Sequence, residues 1–322
     1  ERDCTARWLG LWTTLLTFGL SVLMWVGFDP NQPGLQFETR LNWLSDYGIS
    51  YHTGVDGISL VFILLTAFLT PLALGAGWRS VQTQGRDFVA AMLLLETALF
   101  GLFSAQDLVL FYVFYEATLI PGSLMIGIWG GSRRVWASLQ FFLFTFGGSL
   151  FMLVGLITMW LHAGTTDIPA LMHAGFSHSL QGWLLLAFLL AFGVKLPLFP
   201  LHAWLPDAYT EAPTPASAML SGVLSKTGAY GLLRFGVLMF PDAVRTFAPY
   251  VLALGVVAIL YAAFVAFAQT DMKRLIAYSS FSHMGMIAVG LFTLTAEGID
   301  GAIFQMLSHG VVIAALFFCV AA

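Results

Sequence analysis

The stretch that decides the fold is Gly182–Pro200, which reads GWLLLAFLLAFGVKLPLFP. An unbroken apolar run leads to Lys195, and Pro197 and Pro200 follow it. A proline has no backbone donor, so the carbonyl of Gly193 loses its usual helical partner. A helix broken beside a charge at membrane depth is tolerated only where protein encloses it or it lines a cavity. Broken helices near the bilayer midplane are typical of transporters.

The composition of the whole chain supports a membrane location. Of its 322 residues, 59% are hydrophobic and only 9% are charged, against about 25% charged residues in ordinary soluble domains. The net charge of −4 and the lack of a Lys/Arg run argue against a nucleic-acid partner. Two cysteines, Cys4 and Cys319, are too few for a disulfide framework or a cysteine-held metal cluster.

Ten runs of about 20 apolar residues are long enough to cross a bilayer as helices. They predict an all-α fold, a polytopic membrane helix bundle with about ten transmembrane helices. The runs are 8–28, 55–78, 87–105, 107–130, 134–161, 182–200, 213–238, 246–269, 273–292 and 299–322. The chain begins at Glu1 without Met and ends inside the last run, so we expect a fragment of a longer chain.

The distribution of Lys and Arg predicts the orientation, because cytoplasmic loops are enriched in these residues. Alternate crossings place most basic residues on one side, which we assign as cytoplasmic. These are Arg2, Arg7, Arg79, Arg86, Arg133, Arg134, Lys273 and Arg274. The other side receives Arg40, Arg245 and, at a helix end, Arg234, together with many acids. Adding or removing one crossing would abolish this asymmetry, so it supports the count of ten.

Six titratable side chains lie inside the apolar runs, each near the membrane midplane. At about 1.5 Å per residue, most of them lie about 13 Å from the nearest polar flank. They are Glu96, Glu116, Lys195, Lys226, His283 and His309. A charge at the bilayer centre costs at least about 2.5–3.5 kcal/mol, so six such groups favour an ion pathway over packing alone.

Two observations bear on the role of these groups. A single polar residue in a membrane helix can instead be structural and fix helix packing, an alternative that is strongest for Glu96 and His309. Residues four apart share a helix face, so Tyr112, Ser279 and Gln305 each lie beside a titratable group that follows four positions later. These neighbours are able to hold a proton or a water molecule.

Other candidate sites are weak. No glycine-rich phosphate loop for NADH occurs, and the cysteines cannot hold an iron–sulfur cluster. A bis-histidine haem between His283 and His309 remains an alternative. His162, His173 and His178 fall in one loop and form a candidate surface metal site, although loop histidines are usually only solvated.

A series of motifs, in order along almost the whole chain, resembles the antiporter-like membrane subunits of NADH:quinone oxidoreductase (respiratory complex I). The motifs are Tyr51–Ser59, Phe114–Pro121, Gly127–Gly131, Lys195–Pro197, His202–Ala208, Glu211–Thr214, Lys226–Gly231, Asp271–Ser280, Ser282–Gly285 and Ser308–Gly310. Glu116 followed by Leu119-Ile120-Pro121 is most similar to the chain M type, also called chain 4. The chain departs from the family pattern at Tyr209, often a histidine, and Ser225, usually apolar.

The resemblance implies a fourteen-helix fold with two inverted five-helix repeats, of which this chain would hold helices two to eleven. The implied domains are 1–86, N-terminal helices with an extracytoplasmic loop; 87–238, the complete first repeat; and 239–322, the start of a truncated second repeat.

The resemblance also implies a proton relay, in which Glu116 and Lys195 form a coupled pair and Lys226 is the central member. His283 and His309 would link it to the second repeat, with Glu96 as a less certain member. The physical reason is general: burial disfavours the charged form of an amine, and a nearby carboxylate restores it. Movement of the carboxylate therefore makes the amine release or take up a proton.

The expected function is that of a proton-translocating subunit of complex I, a translocase, without a redox centre of its own. NADH, FMN, iron–sulfur clusters and quinone would be bound by other subunits. Expected partners are chains of the L and N type, the lipid bilayer and protons, in a bacterial inner membrane rather than a mitochondrial one. Three alternatives remain: a subunit of a multi-subunit sodium/proton antiporter, a haem-bearing quinol-oxidising subunit, and a membrane scaffold.

Overall fold

The computed structural model describes residues 2–321, apart from the side chains of Arg2, Arg79 and Ala321. Helices dominate this part of the chain, and one two-stranded sheet lies outside the bundle. The helices are α1 (Arg2–Gly27), α2 (Gly57–Ser80), α3 (Gly85–Ser104), α4 (Leu108–Ala117), α5 (Leu119–Trp129), α6 (Arg134–Ala163), α7 (Ile168–Leu171), α8 (His178–Lys195), α9 (Leu205–Glu211), α10 (Thr214–Met219), α11 (Lys226–Gly231), α12 (Pro241–Phe267), α13 (Met272–Phe292) and α14 (Ala296–Ala321). The strands are β1 (Gln36–Leu44) and β2 (Ile49–Val55).

The membrane crossings agree with the prediction. Within residues 2–321, nine helical segments are long and apolar enough to span a membrane, and each coincides with one predicted run. One of them, Leu108–Trp129, is divided at Thr118 into α4 and α5. The tenth run, 213–238, is helical but is divided by two π-helical segments, Leu220–Leu224 and Leu232–Val237. In the first of these, the amide of Ser225 donates to the carbonyl of Leu220, five residues earlier, at 3.0 Å. The fold is an all-α, polytopic membrane bundle.

A β-hairpin lies in the long break after the first crossing, where the sequence analysis assigned no strand. Strands β1 and β2 are antiparallel, and β1 is exposed along almost its whole length. The buried side chain of His52, on β2, anchors the hairpin. Its ring nitrogens lie 2.7 Å from Asp167 and 2.8 Å from Glu38. The contact with Asp167 joins segments 115 residues apart, so local sequence does not reveal it.

The connecting loops gather at two opposite ends of the bundle, as alternate crossings require. At one end, the amide of Gln106 donates to His52 and the amide of Leu108 donates to Thr166, both at 2.8 Å. At the other end, the guanidinium groups of Arg133 and Arg274 bind Asp207 at 2.9 and 2.8 Å. The second end thus contains two of the basic residues that the sequence analysis assigned to the cytoplasm.

The predicted helix break is present, but its hydrogen bonding differs from the expectation. Helix α8 ends at Lys195, and α9 begins after a stretch of turns. The carbonyl of Gly193 is not left without a partner, because it accepts from the amide of Leu198 at 2.7 Å. The indole Nε1 of Trp204 donates to the carbonyl of Val194 at 2.9 Å. The chain therefore folds back on the end of α8 and holds it in place.

Helix α11 packs closely against this broken end because it carries a glycine at the contact. A Cβ atom on Gly228 would lie 2.5 Å from the amide nitrogen of Leu196 and 2.7 Å from the carbonyl oxygen of Phe192. Both atoms belong to the backbone, so no side-chain movement would relieve the clash. The two lysine-bearing segments consequently meet at backbone distance.

Candidate functional site

Lys195 is fully buried and is bound at the junction of two short helices. Its Nζ lies 2.9 Å from Oγ1 of Thr118, 3.3 Å from the carbonyl oxygen of Tyr115 and 3.5 Å from the centre of the Tyr115 ring. The junction exists because Pro121 has no amide hydrogen to give to the carbonyl of Ala117, where α4 ends. The break in one helix thus supplies oxygen ligands for the lysine at the break in another.

Glu116 lies within the same junction, on the turn between Tyr115 and Thr118. Its carboxylate contacts Ser149 of α6 and interacts electrostatically with Lys195 and with Tyr112. Its Oε1 is buried and has no hydrogen-bond partner among the described residues. Glu116 and Lys195, the predicted pair, therefore interact electrostatically. The direct contacts to the amine come from Thr118 and Tyr115.

Lys226 and His309 form the most direct contact among the predicted residues. The Nζ of Lys226 lies 2.8 Å from Nδ1 of His309 and also donates to the carbonyl of Ser221. Lys226 is fully buried and His309 is 4% exposed. Ser221 lies in the first π-helical segment, five residues before Lys226, so that segment provides a backbone oxygen to the buried amine.

His283 extends this contact toward α13. Its ring centre lies 5.3 Å from that of His309, and its Nδ1 lies 3.2 Å from the Nε2 of Gln305. The sequence analysis placed Gln305 beside His309 on the same helix, whereas its amide bonds across to His283. Lys226, His309, His283 and Gln305 thus form one polar chain, which we call the central cluster.

Glu96 is separate from both groups in the part of the chain that the structure describes. It is 3% exposed, and its carboxylate accepts from Oγ1 of Thr17 at 3.2 Å and contacts Thr70. Its partners therefore lie on α1 and α2. This arrangement suits either a helix-packing role or an outlying position on a pathway.

Two of the alternative sites do not agree with the geometry. The rings of His283 and His309 are too close, with centres 5.3 Å apart, for a porphyrin to lie between them. No group of three or more His, Cys, Asp or Glu side chains in the described residues is arranged to hold a metal ion. His162 instead packs its ring 5.2 Å from Phe176.

The sequence analysis missed several contacting residues. Thr118 carries a signal, since it lies two positions after Glu116 and three before the proline that divides the helix. Ser149 and the carbonyl of Ser221 carry none, because only packing brings Ser149 to Glu116 and only a π-helical turn directs Ser221 at Lys226. The two departures from the family pattern, Tyr209 and Ser225, contact each other.

Known proteins that resemble this chain identify its family. Residues 105–322 match the family described as NADH:quinone oxidoreductase/Mrp antiporter, TM. The chain belongs to this family. Relatives within it include NADH-quinone oxidoreductase subunit M of Rhodobacter capsulatus, 49% identical over 99% of this chain. NADH-ubiquinone oxidoreductase chain 4 of Arabidopsis thaliana is 44% identical over 98% of this chain. The chain spans 64% of the length of each of these two relatives.

Solved structures of the family share the fold. Respiratory complex I from Thermus thermophilus contains a chain that matches with a TM-score of 0.90 and 36% identity, over 98% of this chain and 66% of that one. The Mrp complex from Dietzia matches with a TM-score of 0.88 but only 23% identity, over 99% of this chain and 35% of that one. The second match shows similarity of fold alone.

Proposed function

We propose that this chain is a proton-translocating membrane subunit of an NADH:quinone oxidoreductase, in which it moves protons through the lysine sites and the central cluster. The relatives named as subunit M and chain 4 of that enzyme support this proposal. The observation that carries it is the contact of Lys226 with His309, because a buried amine bonded to an imidazole is an arrangement suited to proton transfer.

The chemistry of the central cluster follows from the donor and acceptor roles of its atoms. An ammonium group has donors only, so Nδ1 of His309 must accept from Lys226 when the lysine is charged. Transfer of that proton leaves a neutral amine and an imidazolium whose Nε2–H is the donor on the opposite side. Histidine relays protons in this way because its two ring nitrogens are distinct. His283 is the neighbouring acceptor.

The Lys195 site would control the entry of protons into the path through the central cluster. Its ligands are a hydroxyl, a carbonyl and an aromatic face, all of which stabilise an ammonium group in a buried site. Glu116 adds a negative charge nearby, and a change in its distance alters the balance between charged and neutral lysine. Moving one charge against 100 mV requires about 2.3 kcal/mol, which redox chemistry in partner subunits would supply.

The remaining expectations form part of the same proposal. NADH, FMN, iron–sulfur clusters and quinone are bound by other subunits, and this chain carries no redox centre. Its partners are the antiporter-like chains of the L and N type, and the membrane is a bacterial inner membrane. Glu116, Lys195, Lys226, His283 and His309 are the relay, with Glu96 as an outlying member.

The test is to neutralise the relay in the assembled enzyme. Lys195→Met and Glu116→Gln remove a charge with little change in volume, and Arg245→Ala and Glu297→Gln are matched controls at exposed positions. We expect both relay variants to lower the number of protons pumped per NADH oxidised, and both controls to pump normally. Pumping at the wild-type level in both relay variants would contradict the proposal and favour the scaffold alternative.

A further inference from the structure

A cavity of about 290 Å³ lies at the end of the bundle opposite the Arg133–Asp207 contacts. Loops that connect three pairs of crossings surround it, and helix α11 and the π-helical segment after it form its wall. Its polar lining consists of Asp56, Gln106, His173, Tyr230 and Arg234. The volume is several times the roughly 30 Å³ that one water molecule occupies in the liquid. The distribution of basic residues assigns this end to the extracytoplasmic side.

The wall of this cavity is a connected hydrogen-bond network. Arg234 donates to the carboxylate of Asp56 and, at 3.1 Å, to the hydroxyl of Ser59. The Ser59 hydroxyl lies 2.9 Å from that of Tyr230, which donates to the carbonyl of Phe103 at 3.2 Å. Tyr230 is 2% exposed. The network therefore joins the lining of the cavity to the buried hydroxyls of Ser59 and Tyr230.

The Tyr230 hydroxyl belongs to the helix that carries the central cluster. Tyr230 follows Lys226 by four residues within α11, so their Cβ atoms lie about 5–6 Å apart on one helix face. Phe62 and Phe103, stacked at 5.2 Å, pack against the Tyr230 ring at 5.7 and 5.1 Å. Apolar rings at such a position form a constriction that admits water only when they separate.

We propose that this cavity is an extracytoplasmic proton-release vestibule, and that the Tyr230 and Ser59 hydroxyls connect it to Lys226. This inference rests on the proposed function. The Lys226 ammonium gives a proton to water between it and Tyr230, and this water passes a proton to the Tyr230 oxygen. The Tyr230 hydroxyl turns from the carbonyl of Phe103 to Ser59 and gives Ser59 its own proton. Ser59 gives its proton to the carboxylate of Asp56, which lines the cavity and releases a proton to vestibule water. Lys226 is left as a neutral amine, and the vestibule water becomes hydronium.

The first test asks whether the cavity holds water that is continuous with the outside. Gln106→Cys and, separately, Ala105→Cys in the assembled complex place a thiol on its lining, where the native residues are 7% and 4% exposed. A membrane-impermeant methanethiosulfonate is added to vesicles of each orientation. Labelling is read from the mass of the peptide that carries the introduced thiol, because Cys4 and Cys319 are also exposed. We expect labelling from the extracytoplasmic side only, whereas Thr66→Cys, buried away from the cavity, stays unlabelled. Labelling from the cytoplasmic side, or none in both variants, overturns the proposal.

The second test asks whether protons use the hydroxyl. Tyr230→Phe keeps the aromatic ring but removes the hydroxyl, and Tyr250→Phe is the control at a tyrosine that is 68% exposed. We expect Tyr230→Phe to lose most of the proton pumping while NADH oxidation continues, and Tyr250→Phe to pump normally.

The outcome separates this inference from the proposed function. Normal pumping in Tyr230→Phe, together with reduced pumping in Lys195→Met, overturns the release path and keeps the relay. Normal pumping in Lys195→Met and Glu116→Gln removes the proposed function, and the labelling result alone then decides whether the vestibule exists.

Discussion

The side-chain amine of Lys226 and the imidazole Nδ1 of His309 lie 2.8 Å apart, although 83 residues separate them in the chain. Both side chains are buried, and the opposite ring nitrogen, Nε2 of His309, has no partner among the described residues. An imidazole that accepts from an ammonium group at one ring nitrogen and is unpaired at the other is arranged to receive a proton and pass it on.

This contact predicts that Lys226 and His309 act as one unit. Lys226→Met and His309→Leu are each expected to reduce pumping at least about tenfold, since a positioned proton donor typically contributes about 10²–10⁴-fold. The double variant should be little worse than either single variant, because residues in direct contact are not additive. Proton uptake into vesicles, divided by NADH oxidation, measures the effect; fully additive losses would show that the two residues act separately.

Thr118 is predicted to be necessary for the Lys195 site. Thr118→Val keeps the side-chain shape but removes the hydroxyl that lies 2.9 Å from the lysine, a charged hydrogen bond worth about 1.5–3 kcal/mol. We expect lower pumping with an assembled complex. Thr158→Val is the matched control, since Thr158 is half-buried and its hydroxyl donates to the carbonyl of Val154 in its own helix. Equal pumping in the two variants would mean that Thr118 is not a functional ligand.

Gly228 is predicted to tolerate no larger side chain. An added methyl group would lie 2.5 Å from a backbone atom of Leu196, so Gly228→Ala forces α11 away from the broken helix. Overpacking of this kind costs about 1–3 kcal/mol or more, and we expect less assembled complex in the membrane. Gly147→Ala on α6 meets no atom within 4 Å and should assemble normally. Quantification of the chain in purified membranes decides between these outcomes.

Asp56 is predicted to make stability depend on pH. Burial raises the pKa of its carboxyl, but the Arg234 guanidinium and the Ser59 groups outweigh burial and hold that pKa below its usual range. A carboxyl with a depressed pKa stabilises the fold above its unfolded pKa, about 3.9. This contribution is lost as the pH falls through the lower folded value. Asp56→Asn should therefore lower the thermal unfolding temperature at neutral pH.

The same variant should also change less than the wild type as the medium is acidified toward about pH 3, below the usual pKa of aspartate. Asp300→Asn, at an exposed position, is the control and should match the wild type throughout. Thermal unfolding of the detergent-solubilised complex provides the measurement. An Asp56→Asn chain that is as stable as the wild type at neutral pH would show that the ion pair with Arg234 contributes nothing.

The candidate site was only partly predictable. Lys195 and Lys226 stood out because a charge within an apolar run is costly and therefore rare. The hydrogen-bond partner of Gln305, which is His283, was not predicted, since helical spacing identifies neighbours on one helix and not across two. Thr118, Ser149 and Tyr230 are common membrane-helix residues, and they gain significance only from the groups that packing brings to them.

The sequence by itself determined the membrane class, the crossings and the end of the bundle that carries most basic residues. These properties depend on the apolar length of each segment and on the charges beside it, and both are local. Only the tertiary structure decided that Lys226 meets His309, that Lys195 meets Thr118, and that Tyr230 reaches a cavity. Those contacts depend on close helix packing at Gly228 and on a π-helical turn. The free energy of each depends on segments that are distant in the chain, so local sequence does not reveal it.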